Sequence, residues 1–204
     1  RVWLFPRGHL SIVAADPGLG KSMLMAAAAA DLSVGLPVCG GRAEAPRRVL
    51  YLNGEAGRSL FDTRFRLGQW RFDPDRLKAV HLEDAETAVV PLDLDTTGGK
   101  ETLQLLVEAH RPDLLVVDSL VAFSGADQND AQVMVSIARG LRTLAHEKGV
   151  AVVLVHHFRK RGLRDRGTAL DLNEIQGSNG LLKLAALVVG IEPREIEGAG
   201  GEKE

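Results

Sequence analysis

One cysteine in 204 residues, Cys39, has no partner for an intrachain disulfide, and no Cys/His cluster has the spacing of a zinc site. A reducing, cytoplasmic compartment is the expectation. Aromatic residues make up only 4% of the chain, so the core must be built mainly from Ala, Val and Leu, which suits helices packed closely on a sheet. No uncharged apolar run approaches the ~18 residues needed to span a bilayer, and the first residues show no signal-peptide pattern. No membrane contact is expected. The formal net charge of −2 excludes a globally basic nucleic-acid coat, so any nucleic-acid contact has to be local.

What the chain does contain is 45% apolar and 25% charged residues, the balance of a folded globular protein, and enough length to bury about 70% of its surface in one sizeable core. Short apolar runs recur at 10–14, 49–52, 79–82, 114–117, 151–155 and 187–191. Their continuous character predicts strands of a parallel sheet covered on both faces. Between them lie helical patterns at 21–34, 58–70, 99–110 and 131–148, the third stopped by Pro112 and the last closed by Gly149. The class is α/β, a mostly parallel twisted sheet with helices on both faces. One domain over 1–192 is expected, followed by a flexible tail at 193–204. Because the chain begins with Arg1, it reads as a piece of something longer.

Ala15-Asp16-Pro17-Gly18-Leu19-Gly20-Lys21-Ser22 lies between the first strand and the first helix. It matches G-x-x-x-x-G-K-[ST] except that Ala15 replaces the first glycine. Glycines let backbone N–H groups curl around phosphate oxygens, Lys21 would reach the β and γ phosphates, and Ser22 would offer a hydroxyl to Mg²⁺. ATP and Mg²⁺ are the expected cofactors. If the first position needs a positive φ, Ala15 carries strain of about 1 kcal/mol.

Two strands end in acids. Leu114-Leu115-Val116-Val117-Asp118 has the form of a Walker B motif, whose carboxylate holds Mg²⁺ directly or through water. Tyr51-Leu52-Asn53-Gly54-Glu55 delivers a second carboxylate, suited to orienting or deprotonating the water that attacks the terminal phosphate. A fifth strand delivers His156 and His157 to the same edge. Neighbouring strand residues point to opposite faces, so at most one of the two faces the γ-phosphate as a hydrogen-bonding sensor. Beyond them, residues 158–173 hold Arg159, Lys160, Arg161, Arg164 and Arg166 against two aspartates, a local excess of three positive charges. Such a loop suits a phosphate backbone more than base reading.

Taken in order, these segments resemble the RecA-like P-loop ATPases, and specifically the RepA-type branch close to hexameric replicative helicases. Trp3-Leu4, Gly35-Leu36-Pro37, Asp127-Gln128-Asn129-Asp130 and Gly177-Ser178 add to the likeness, although Gln176 stands where that family usually has Arg. The resemblance implies a His-bearing strand between the phosphate-loop strand and the Asp118 strand. It also implies that Glu55 is the hydrolytic carboxylate, that His156 or, by position, His157 is the sensor, and that ATP lies between subunits of a hexameric ring. Single-stranded DNA would pass through the ring, facing residues 124–130 and 158–173. Arg194, or alternatively Lys183, would be the finger that reaches a neighbour's site. The implied activity is Mg-dependent ATP hydrolysis acting on single-stranded DNA, in the manner of a plasmid or phage replicative helicase. A nucleotide-switched assembly module with a protein partner, or a P-loop phosphotransferase with the basic loop as its lid, are the other readings of the same motifs. For the basic loop, replacing Arg159, Lys160 and Arg161 together by Ala is expected to weaken single-stranded DNA binding and to flatten its dependence on salt, measured by fluorescence anisotropy from low to moderate ionic strength.

Overall fold

A computed structural model describes residues 5–38, 41, 45–82, 92–125, 131–157 and 179–192. Six strands form one sheet: β1 (Leu10–Ala15), β2 (Val49–Asn53), β3 (Leu77–His81), β4 (Leu114–Asp118), β5 (Ala151–His157) and β6 (Leu187–Ile191). Their spatial order is β3-β2-β4-β5-β1-β6, and every neighbouring pair is parallel. The fold is therefore α/β with a parallel twisted sheet and flanking helices. Strand β5 lies between β1 and β4, the position that the family resemblance implied.

Parallel pairing requires a crossover after each strand, and the crossovers supply the helices. They are α1 (Lys21–Val34), α2 (Arg58–Leu67), α3 (Thr97–His110), α4 (Ala131–Lys148) and the short α5 (Asn179–Leu182). Two boundaries differ from the periodicity for local reasons. Helix α3 begins two residues early because the Thr96 hydroxyl caps it, accepting from the Gly99 N–H at 3.0 Å. Helix α2 stops at Leu67 rather than at residue 70, because Gln69 takes a left-handed backbone (φ 51°) that cannot continue a helix.

Alternation along the strands divides the core into two layers. On one face Leu10, Ile12, Leu50, Leu52, Leu115, Val117, Val152 and Leu154 pack with α3 and α4 through Leu103, Val107, Ile137 and Leu141. On the other, Val13, Val49, Tyr51, Leu114, Val116, Val153 and Val155 pack with α1 and α2 through Met25, Ala26, Ala29, Phe61 and Phe65. The alanines of α1 let that helix lie close to the sheet, so the core needs few aromatic residues. All six strands point the same way, so every carboxyl end emerges at one edge, where ligands of parallel α/β sheets bind.

The centre of the sheet is β4, flanked by β2 and β5. Leu115→Ala, at a fully buried position there, is expected to cost about 2–5 kcal/mol, read as a lower urea midpoint at an unchanged slope. Leu105→Ala on the exposed side of α3 is expected to cost less than about 0.5 kcal/mol.

Candidate nucleotide site

The loop after β1 is a cradle of open backbone. Gly18 and Gly20 have φ of 83° and 79°, conformations that glycine adopts without strain, and beyond the adjoining chain no heavy atom lies within 4 Å of where a Cβ would be placed on either. Ala15 is different: it is the last residue of β1, paired with His157 in β5 and Ile191 in β6, and its φ is not positive. The strain considered for alanine at this position does not arise. Its carbonyl and that of Asp16 accept from Lys21 Nζ at 3.1 and 3.0 Å.

The amino end of α1 has no side-chain cap and no acid in its first turn, so its N–H groups and partial positive charge face the cradle uncompensated. Lys21 adds a nearly buried ammonium, whose pKa is pushed down by that burial and raised in part by Glu55, Asp118 and Asp16. A nearly buried ammonium beside an uncapped helix amino end suits the phosphates of a nucleotide. Ser22 Oγ donates to Asp118 Oδ1 at 3.1 Å, bringing two hard oxygen donors together. Among the described residues no group of three or more His, Cys, Asp or Glu could hold a metal. The oxygen pair instead fits Mg²⁺ as P-loop proteins hold it, by one or two protein oxygens plus phosphates and water.

Asp118 is 1% exposed. Burial pushes its pKa up, while donors from Tyr51 and Ser22 pull it back. The Tyr51 hydroxyl donates to Asp118 Oδ2 at 2.5 Å, within the range of a bond from a hydroxyl to an ionised carboxylate.

Glu55 lies on the turn between β2 and α2, and that turn is tied down on three sides. The Gly54 N–H donates to the Asp118 carbonyl at 2.6 Å, and the Asn53 side chain bonds both the N–H and the carbonyl of Ala56. Asn53 Nδ2 also lies 2.8 Å from Nδ1 of the buried His81 on β3. A Cβ at residue 54 would run into Ala122 and Phe123, so glycine is what lets this turn pack against the segment after β4.

Across the edge, His157 Nε2 is 2.8 Å from Glu55 Oε1. This bond, with help from the Ser119 hydroxyl and the charge of Lys21, holds the Glu55 carboxyl down to about 2 against the opposing effect of burial. Glu55 is thus ionised at neutral pH, and Nε2 carries the hydrogen between them. The alternation that leaves the two histidines open in sequence closes in three dimensions. His157 shares the α1/α2 face with Val155, Tyr51 and Asp118, whereas His156, 2% exposed, belongs to the α3/α4 face.

The structure therefore brings together Lys21, Ser22, Asp118, Glu55 and His157. Lys183 is exposed after α5, on the turn that leads into the amino end of β6, and does not join them. Arg159, Lys160, Arg161, Arg164, Arg166 and Arg194 lie outside the described residues, as does Gln176. Tyr51, Asn53 and His81 escaped the motif reading. The signal for the first two was their period-two spacing ahead of Glu55.

A family model for the AAA domain matches residues 3–162, which hold this whole constellation. The chain belongs to the AAA domain family. Three relatives are bacterial proteins named DNA repair protein RadA. That of Brucella abortus (strain 2308) is 28% identical over 163 residues, covering 78% of this chain and 30% of the relative. That of Listeria monocytogenes is 27% identical over 159 residues, covering 76% and 29%. The third, from Bacillus subtilis (strain 168), is 26% identical over 160 residues, covering 76% and 29%. The AAA domain described here thus spans about 30% of the length of the curated relatives that it matches, and it is a P-loop ATPase domain of RecA/RadA type.

These relatives correct two expectations. They are named DNA repair proteins and support the broader RecA/RadA type, not specifically the RepA-type branch. The hexameric ring, which rested on the helicase likeness alone, is withdrawn with it.

Because its pKa is depressed on folding, Glu55 contributes stability that is fully present above about pH 4.5 and is lost as pH falls toward 2. Urea midpoints followed from pH 6 to pH 2 are expected to fall more steeply for the wild type than for Glu55→Gln, with His157→Ala between them.

Proposed function

We propose that this AAA domain binds ATP with Mg²⁺ at the loop 15–22, hydrolyses it, and couples the cycle to single-stranded DNA in a bacterial repair protein. The observation that carries the reading is convergence: an uncompensated helix end with Lys21, an oxygen pair at Ser22 and Asp118, and a Glu55–His157 pair on one face of one sheet edge. A phosphotransferase needs the first two but has no use for the third.

In this reading the N–H groups of residues 18–22 and the Lys21 ammonium bind the phosphates. Binding draws Lys21 Nζ from the carbonyls of Ala15 and Asp16, which hold it otherwise. Ser22 and Asp118 hold Mg²⁺, which when bound neutralises charge on the β and γ phosphates. Glu55, ionised at neutral pH, is suited to orienting the attacking water or to taking its proton. His157, bonded to Glu55, reports the state of the nucleotide: a phosphate oxygen that takes its Nε2 hydrogen frees Glu55 for water. The basic segment 158–173 follows His157 directly, which gives nucleotide state a short route to the DNA contacts proposed there.

The part in DNA repair is carried over from the names of the relatives. Strand unwinding, the narrower expectation, is an outcome for assay. Lys21→Ala is expected to abolish nucleotide binding, while Glu55→Gln keeps ATP affinity within about threefold and loses at least ~10²-fold in turnover. Steady-state hydrolysis with and without single-stranded DNA, with Glu55→Gln as background, tests the whole reading. Stimulation by DNA is the expected result, and a wild-type rate in Glu55→Gln would end the assignment of that carboxylate.

A further inference from the structure

The chain has one tyrosine, and it is fully buried at the metal end of the site. Tyr51 donates its hydroxyl to Asp118 Oδ2 at 2.5 Å and lies 3.5 Å from the carbonyl oxygen of Ser22. One phenol therefore touches both elements that bring the hard oxygens together, the end of β4 and the first turn of α1. Its ring is fixed from the other side, with Phe61 edge-on at a centroid distance of 5.1 Å. Phe61 is in turn braced by Phe65 at 4.9 Å and His81 at 5.1 Å.

An aspartate at a strand end is free to turn about its last torsion, which is broad and poorly restrained on its own. With Oδ2 taken by the phenol, Oδ1 is the oxygen that meets Ser22 Oγ. We propose that Tyr51 is a positioning residue for the divalent cation, locking the Asp118 carboxylate so that Oδ1 and Ser22 Oγ present themselves to the metal as a pair. This rests on the reading of Ser22 and Asp118 as the Mg²⁺ groups. The side chain does two separable things: the ring fills the core between β2 and α2, and only the hydroxyl reaches Asp118. No solvent touches the phenol, so water cannot take the place of that hydroxyl without displacing the packing around it. Outer-shell partners of this kind change metal affinity by about 10–100-fold when removed.

The test uses the 204-residue chain with ADP, Mn²⁺ as the probe, and paramagnetic resonance of free Mn²⁺ as the readout. Tyr51→Phe, which keeps the ring, is expected to raise the Mn²⁺ concentration for half-occupancy about tenfold or more, with ADP affinity in EDTA unchanged. Phe65→Leu, which disturbs the packing one ring away from the phenol, is expected to lower the unfolding midpoint and leave the Mn²⁺ dependence as it is. With Asp118→Asn already in place, Tyr51→Phe is expected to change Mn²⁺ occupancy no further, since the two act as one unit.

An unchanged Mn²⁺ dependence in Tyr51→Phe overturns the proposal, as does an equal loss of ADP affinity with Mn²⁺ and in EDTA, which is the mark of a merely structural tyrosine. Additive effects of Tyr51→Phe and Asp118→Asn overturn it as well. A wild-type chain whose ADP binding is indifferent to Mn²⁺ overturns the parent reading of Ser22 and Asp118, and the proposal with it. The two failures are thereby told apart.

Discussion

Strand β4 ends in a carboxylate that has almost no contact with water, and much of the molecule is arranged around that fact. Burying an ionised aspartate is costly unless donors replace its hydration. Here one donor comes from β2, through Tyr51, and another from the first turn of α1, through Ser22. A third tie runs from the backbone carbonyl of the same residue to the Gly54 N–H on the turn that carries Glu55. The residue that ends the central strand thus sets the relative positions of the phosphate loop, the second strand and Glu55.

The second organising constraint is parity. In a sheet covered on both faces, each strand residue belongs to one helix layer or the other. Tyr51, Asn53, Asp118 and His157 fall on the α1/α2 face because they continue the rows of Val49, Leu114, Val116, Val153 and Val155, whose apolar side chains pack against those helices. The burial that builds this layer therefore also selects which polar groups at the strand ends can meet the phosphate loop. Moving β5 by one residue against β1 would bring His156 to the site and send His157 to the opposite layer.

The likeness to RadA proteins bears on the same arrangement. The family match ends at residue 162, just past the His-bearing strand, so it includes the phosphate loop and both acids. The relatives are about three times as long as the region shared with this chain, so what the complete proteins do depends on parts that lie beyond the match. A domain of this design presents a phosphate-loop cradle and a carboxylate–histidine pair at one sheet edge.

Much of this was legible in the order of residues. The continuous apolar runs gave the six described strands, because strands buried on both faces need no alternation, and Gly20-Lys21-Ser22 marked the passage from a strand to a helix. The acids at 55 and 118 were legible for the same reason, since polar residues that close apolar runs mark the end of a strand. Packing decided the rest. Whether Ala15 is strained depends on its φ, which pairing with β5 and β6 sets to that of an ordinary strand residue. Which histidine faces Glu55 depends on which layer α1 occupies, and a period-two pattern alone carries no sign. That the one tyrosine reaches Asp118 depends on the adjacency of β2 and β4, strands separated by sixty residues of chain and brought together by the sheet. Local composition determines which elements form and where they end, whereas contacts between distant strand ends exist only once the sheet has put them side by side.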